Sequence, residues 1–131
     1  RVTNSGGFAP IESPDGKYIY YAKGRSVAGL WRIRIDGTGE EEVLNELPAE
    51  HWGLWSVLKD GAVVYLDKQG ISRSVLKLVR GGKTSVVATL DKPPKAPDAG
   101  LAASPDGRSV LVAQVDQSGS DIQMVDSPDL Q

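Results

Sequence analysis

The tetrapeptide Ser-Pro-Asp-Gly (SPDG) stands at residues 13–16 and returns at residues 104–107 of a chain of 131 residues. Proline sets φ for the second position of a tight turn, and aspartate tolerates the third position and bonds back to the backbone. Glycine then adopts the left-handed conformation that other residues resist. The sequence therefore predicts the same turn at both places, which indicates a structural unit used more than once.

A third copy of this turn lies between the other two. Residues 58–61 read Leu-Lys-Asp-Gly, so they keep the Asp-Gly pair, and the final glycines of the three turns are 45 and 46 residues apart. A period of roughly 40 to 50 residues with short apolar runs is typical of propeller blades, each of which is a four-stranded antiparallel sheet.

Strand-like segments rich in β-branched and aromatic residues recur around each turn. Small or apolar residues precede the turns, and two further apolar strands follow them. The positions that we expect to be equivalent are Ile19, Val64 and Val110 in the strand after the turn, and Trp31, Leu76 and Ile122 in the next one.

The sequence thus predicts an all-β fold of three four-stranded antiparallel propeller blades within a single partial propeller domain, residues 1–131. We expect blade 1 at about 4–47, blade 2 at about 48–91 and blade 3 at about 92–131. The third repeat lacks a fourth strand, because its proline and charges after Met124 are poor partners for a ladder. Residues 1–3 precede blade 1 as an outer strand would, so we expect them to complete blade 3 and protect its edge.

Composition excludes several classes of function. Fifteen Lys and Arg against 17 Asp and Glu give a net charge of −2, so we expect no nucleic-acid partner. The absence of cysteine excludes disulfides and thiolate metal sites. No apolar run approaches the roughly 20 residues of a membrane span, so we expect no membrane contact by this segment. Because the chain begins with Arg1, we expect it to be a piece of a longer protein.

The segments RVTNSGGFAPIESPDGKYIYYA (1–22) and GLWRIRIDG (29–37) resemble the blade signature of TolB-like, WD-repeat-related bacterial β-propellers. The final repeat, 100–126, resembles the last blades of propellers that are fused to winged-helix regulators or protein kinases. The middle repeat departs from the signature at Leu58 and Lys59. The resemblance implies a propeller fold and a scaffold or binding role; it also favours a periplasmic or other extracytoplasmic location, although the compartment stays unknown.

No catalytic, cofactor or metal site emerges from the residues. His51 is the only imidazole, and although Glu50 adjoins it, the sequence has no Gly-x-Ser-x-Gly elbow to supply a nucleophile. The acidic stretch 116–121 lacks the spacing of a calcium loop. We expect Asp15 and Asp106 to serve their turns rather than an active site.

We therefore predict a non-enzymatic protein-interaction or ligand-sensing module of a larger bacterial protein, with a protein or peptide partner. Propeller ligands usually meet the face where the inter-blade crossings and the loops between the second and third strands emerge. The candidate partner-binding residues on that face are Arg25, His51, Trp52, Lys68 and Gln117. The alternative is the non-catalytic propeller of a prolyl-oligopeptidase-like hydrolase, which requires a separate α/β domain.

Three blades are too few for a closed ring, since propellers have about four to eight. Two possibilities follow. Two copies form a six-bladed homodimeric ring in which Arg1–Thr3 pairs with Asp121–Val125 of the other copy, or this chain is the terminal half of a larger propeller.

Overall fold

The computed structural model describes residues 2, 3, 5–94, 99–116 and 119–130, without the side chains of 115, 116 and 119–121. Its elements are β1 (Phe8–Glu12), β2 (Tyr18–Ala22), β3 (Leu30–Arg34), β4 (Glu41–Leu44), β5 (Trp55–Val57), β6 (Val63–Gln69), β7 (Arg73–Arg80), β8 (Lys83–Leu90), β9 (Leu101–Ala103), β10 (Ser109–Asp116), β11 (Gly119–Asp126) and a 3-10 turn at Pro128–Leu130. Within these ranges, no helix is long and apolar enough to cross a membrane.

The strands form three antiparallel sheets in succession along the chain. The first sheet has the order β1-β2-β3-β4 and the second has the order β5-β6-β7-β8. The third contains β9, β10 and β11, with β10 in the middle. The predicted all-β fold of repeated antiparallel sheets is therefore confirmed, and in this chain the third sheet has three described strands.

The two SPDG turns are structural copies of each other. The Gly16 amide donates to the Ser13 carbonyl oxygen at 2.9 Å, and the Ser13 hydroxyl donates to the Asp15 carboxylate at 2.6 Å. The Gly107 amide likewise donates to the Ser104 carbonyl oxygen at 2.9 Å, and the Ser104 hydroxyl donates to Asp106 at 2.5 Å. Identical sequence thus produces an identical hydrogen-bond pattern 91 residues later in the numbering, from Ser13 to Ser104.

The middle turn is one residue shorter, and this shifts the strand after it. The Leu58 amide donates to the Ala62 carbonyl oxygen at 2.7 Å, four residues on, whereas the Ser13 amide reaches Tyr18, five residues on, at 2.8 Å. As a result Val63, not Val64, occupies the position in the second sheet that is equivalent to Ile19 in the first and Val110 in the third. The predicted equivalence of Val64 with those two residues is wrong.

Trp31 is also displaced by one position from its predicted equivalents. It pairs with Tyr21, whereas Leu76 pairs with Leu66 and Ile122 pairs with Ala113. Since Tyr21 corresponds to Tyr65 in the second sheet, Trp31 takes the position of Lys77. Its half-buried ring therefore lies on the side of the first sheet that faces away from the second.

The core consists of two layers, one between each pair of successive sheets. The layer between the first and second sheets contains Tyr20, Leu30, Leu44, Leu47, Trp55, Val63 and Tyr65. The layer between the second and third sheets contains Leu54, Leu58, Val64, Leu66, Leu76, Leu78, Leu90, Val110, Val112 and Leu130, together with Ala62. Alternate residues of β6 thus face opposite neighbours, as a strand covered on both sides requires.

The C-terminal 3-10 turn contributes to the second layer. Leu130 is 1% exposed and packs between the second and third sheets, and its carbonyl oxygen lies 3.1 Å from where a Cβ on Gly107 would be. The Arg80 guanidinium donates to the Asp129 carbonyl oxygen at 3.1 Å. These contacts anchor the last described residues to the edge that carries the SPDG turns.

Candidate partner-binding face

The two ends of each sheet, at which its strands begin and end, differ from each other. One end, called the turn edge below, carries the turns at 13–16, 58–61 and 104–107. The opposite edge, called the crossing edge below, carries the β2–β3 and β6–β7 connections, the adjoining ends of β10 and β11, and crossing residues 45–54, 91–94 and 99–100. The crossing edge is the face on which partner contacts are predicted.

Three side chains form a cluster at the crossing edge where the first and second sheets meet. The rings of Phe8 and Trp52 pack edge to face, with centroids 4.9 Å apart and planes at 82°. The Arg25 guanidinium carbon lies 5.1 Å from the Phe8 ring centroid, within cation–π range. Both rings are half-buried and Arg25 is exposed. This aromatic cluster, Phe8, Arg25 and Trp52, presents apolar ring surface beside a positive charge.

The backbone around the aromatic cluster is strained. Among the described residues, the non-glycine positions with positive φ are Ala9, at 52°, and Glu50, at 70°. Ala9 lies in the β-bulge of β1 directly after Phe8, and the Glu50 amide donates to the Arg25 carbonyl oxygen at 3.0 Å. Strained residues and bulges concentrate at functional sites, where they aim side chains that regular strands would direct elsewhere.

His51 lies behind the aromatic cluster, in the interior. Its side chain is 0% exposed, and Nδ1 is 2.7 Å from the Leu66 carbonyl oxygen, to which it donates as the neutral tautomer. Burial is the largest cause of a pKa below the ordinary 6.5, and the positive charge of Lys68 lowers it further against the hydrogen bond to Leu66. Nε2 has no partner. The imidazole therefore ties the crossing to β6 and is not on the surface.

Two of the other predicted residues also come to this region. Lys68 is exposed near the β6–β7 connection, close enough to influence His51. In the described part of the chain, neither Arg25 nor Lys68 forms an ion pair. Gln117 lies outside the described residues. The structure thus brings Arg25, Trp52 and Lys68 together around the buried His51.

Trp52 is held by its neighbour and has an unused donor. The Trp55 indole N–H donates to the Trp52 carbonyl oxygen at 2.6 Å, and Trp55 is 2% exposed in the core. Within the part of the chain that the structure describes, the Trp52 indole nitrogen has no hydrogen-bond partner although it is shielded from solvent. A buried unsatisfied donor is costly, which disposes the Trp52 indole N–H to donate to a carbonyl or carboxylate oxygen.

The carboxylates at the turn edge are engaged locally. A hydrogen bond from Ser13 is the largest cause of the lowered pKa of Asp15, and Ser104 has the same effect on Asp106. Within the described ranges, no cluster of three or more His, Asp or Glu side chains could hold a metal ion.

The sequence did not predict a binding role for Phe8. An aromatic residue after the pair Gly6-Gly7 was the available signal, because two glycines next to a strand start let another backbone or ring approach closely. Gly7 does pack on a ring, since a Cβ there would lie 2.9 Å from Cδ2 of Tyr21.

No protein-family model and no curated protein matches this sequence. Among solved structures, TolB from Acinetobacter baumannii is similar with a TM-score of 0.70 and 15% identity, covering 99% of this chain and 32% of that chain. A protein of Bacteroides fragilis named as a candidate 6-phosphogluconolactonase is similar with a TM-score of 0.48 and 16% identity, covering 92% of this chain and 38% of that one.

The likeness to TolB is one of fold. The chain has a TolB-like β-propeller fold and spans about a third of the length of the TolB chain that it matches. It is therefore a propeller module, and a likeness of fold does not by itself define what the module binds.

Proposed function

We propose that this chain is a non-enzymatic interaction or ligand-sensing module of a larger bacterial protein, and that its crossing edge binds a protein or peptide. The observation that carries the proposal is the aromatic cluster, held in place by two strained residues in the part of the fold where propellers usually contact ligands. Half-buried aromatic rings beside an arginine are typical of residues that dominate binding energy.

The chemistry of this edge favours an extended peptide with an apolar or aromatic anchor and a carboxylate. The anchor would pack on the exposed parts of the Phe8 and Trp52 rings. The carboxylate would pair with Arg25, which has no acidic partner in the described part of the chain. Glu50 is exposed nearby, so the charges favour one oriented carboxylate rather than a uniformly acidic ligand.

The burial of His51 supports a module without catalysis of its own. A general base must reach the proton that it abstracts, and this imidazole is enclosed and donates to a backbone carbonyl. We expect pooled ester and peptide substrates to remain unhydrolysed. The alternative of a propeller that belongs to a prolyl-oligopeptidase-like hydrolase has no separate observation in its favour and stays a prediction.

The test is a fluorescence-anisotropy screen of a peptide library whose members combine one aromatic and one acidic residue. We expect binders whose affinity falls about tenfold, or about 1.4 kcal/mol, in Arg25→Ala and in Trp52→Ala. Lys59→Ala is the matched control, because it removes an exposed cation from the turn edge. Equal losses in all three variants, or no binder in the library, would contradict the proposal.

A further inference from the structure

Glu50 occupies a backbone position that usually belongs to glycine. The His51 amide donates to the Pro48 carbonyl oxygen at 3.1 Å, so residues 48–51 form a β-turn with Glu50 at its third position. The φ of Glu50 is 70°, and turns with positive φ at this position favour glycine. Elsewhere among the described residues positive φ belongs to glycines, with Ala9 as the other exception. The chain thus has a carboxylate here despite backbone strain.

Glu50 and Arg25 are neighbours whose opposite charges do not pair. The Glu50 amide donates to the Arg25 carbonyl oxygen at 3.0 Å, so the two backbones are in direct contact. Both side chains are exposed, and within the part of the chain that the structure describes neither forms an ion pair. Two charges of opposite sign therefore lie side by side at the crossing edge, and both are open to a ligand.

The turn that carries Glu50 is fixed on its inner side. His51 follows Glu50 in the chain, is 0% exposed, and donates through Nδ1 to the Leu66 carbonyl oxygen at 2.7 Å. Trp52 comes next, and its ring packs against Phe8 with the centroids 4.9 Å apart. The buried imidazole therefore anchors the backbone from which both the Glu50 carboxylate and the Trp52 ring project.

A role in stability does not explain the glutamate. Its side chain is exposed, so it buries little surface, and it has no ion-pair partner among the described residues. Left-handed backbone disfavours every residue with a Cβ, so glycine would suit this turn better than Glu50 does. Strain of this kind is concentrated at ligand-binding sites, where it is part of the function.

We propose that Glu50 is a second recognition group of the crossing edge and binds a lysine or arginine side chain of the ligand. This inference rests on the proposed function and extends it. The ligand is an extended peptide with an aromatic anchor, an acidic residue for Arg25 and a basic residue for Glu50. Opposite charges side by side favour one orientation of such a peptide and repel the reversed one. The site therefore recognises the order of the charged residues as well as their presence.

The first test compares matched peptides by fluorescence anisotropy, with both termini blocked so that only side chains carry charge. One set contains an aromatic, an acidic and a basic residue, and the other has glutamine in place of the basic residue. We expect the basic residue to tighten binding about threefold, as an exposed ion pair does. Glu50→Gln should abolish this difference without weakening the glutamine peptides. Glu42→Gln, which removes an exposed carboxylate from β4, should preserve it.

This inference and the proposed function fail in different ways. If the glutamine peptides bind wild type and the basic residue adds nothing, the inference is overturned and the proposed function stands. The same threefold preference in Glu50→Gln as in wild type would also overturn the inference, since another group would then bind the cation. If no peptide of either set binds, the proposed function fails and the inference fails with it.

The second test is a stability measurement that needs no peptide. Glu50→Gly removes the left-handed strain, so its unfolding equilibrium constant in urea should fall by roughly threefold. Glu50→Gln has the same backbone conformation and should match wild type. A carboxylate that serves binding predicts this gain in stability together with the lost preference for basic peptides. A loss of stability in Glu50→Gly would show that the side chain supports the fold, and it would overturn the proposal.

Discussion

The two edges of the sheets follow different rules. At the turn edge the same hydrogen bonds recur in the first and third repeats. The middle repeat keeps one of them, since the Gly61 amide donates to the Leu58 carbonyl oxygen at 2.9 Å. At the crossing edge the repeats diverge, and the aromatic cluster, the buried His51 and both strained non-glycine residues belong to the junction of the first two sheets. Uniform geometry indicates a structural role for the turn edge, whereas local strain at the crossing edge supports the binding role proposed for it.

The largest expected effect is at the turn edge. Gly107 has a φ of 71° and faces the Leu130 carbonyl oxygen, so Gly107→Val combines left-handed strain with overpacking and should cost roughly 2 to 4 kcal/mol of unfolding free energy. Gly61→Val is the matched control, because Gly61 has a φ of 89° but no atom of the described residues within 4 Å of its Cβ position. In urea denaturation Gly61→Val should lose less unfolding free energy than Gly107→Val. Equal losses would show that the contact with Leu130 does not contribute.

The next effect is a pH dependence at the crossing edge. Burial holds the pKa of His51 below 6.5 in the folded state, so below pH 6.5 the unfolded state binds the proton first. Stability should therefore fall as the pH drops from 6.5 towards the folded pKa, by at most about 1.4 kcal/mol per pH unit. His51→Gln, which retains a donor for Leu66, should flatten this slope in thermal unfolding curves. An unchanged slope in the variant would show that another group titrates.

A third comparison uses the two copied turns. Ser13→Ala and Ser104→Ala each remove a hydroxyl that donates to the turn aspartate and accepts from an amide at 3.0 Å, so each should cost about 1 kcal/mol. In each variant the pKa of the turn aspartate should rise towards 3.8, as measured by NMR titration. Because these carboxylates are stabilised above pH 3.8, the loss should shrink as the pH falls through their folded pKa values. Clearly different losses in the two turns would contradict their structural identity.

The smallest effect on stability is expected within the aromatic cluster. Phe8→Leu keeps an apolar side chain but loses the edge-to-face contact with Trp52, which should cost about 0.5 to 1.5 kcal/mol in chemical denaturation. Peptide affinity should fall as well, because Arg25 loses the ring over which it lies. If Phe8→Leu changed neither the unfolding free energy nor the peptide affinity, the cluster would have no role in stability or binding.

The sequence predicted the architecture because turn chemistry is local. Asp-Gly pairs at a constant period indicated three repeats, and the apolar segments that recur around them indicated the strands of each sheet. Register was harder to predict, since the middle turn lacks one residue and Leu58, which is 4% exposed, replaces a serine. A one-residue change exchanges the two faces of a strand, and this explains the misplacement of Val64.

The candidate face was predicted only in part. Arg25, Trp52 and Lys68 could be assigned to it from the loops that carry them, whereas the burial of His51 depends on the Leu66 carbonyl oxygen 15 residues away. The role of Phe8 depends on a bulge and a strained Ala9, and neither has a reliable signature in a single sequence.

The most direct measurement follows the three tryptophan indole N–H resonances by NMR during titration with a library peptide. Trp31 lies on the side of the first sheet that faces away from the second, the Trp55 indole is hydrogen-bonded in the core, and the Trp52 indole has no partner among the described residues, so each reports a different environment. Binding at the crossing edge predicts that the Trp52 resonance shifts saturably while the other two stay in place. A saturable shift of Trp31 with Trp52 unchanged would contradict the account.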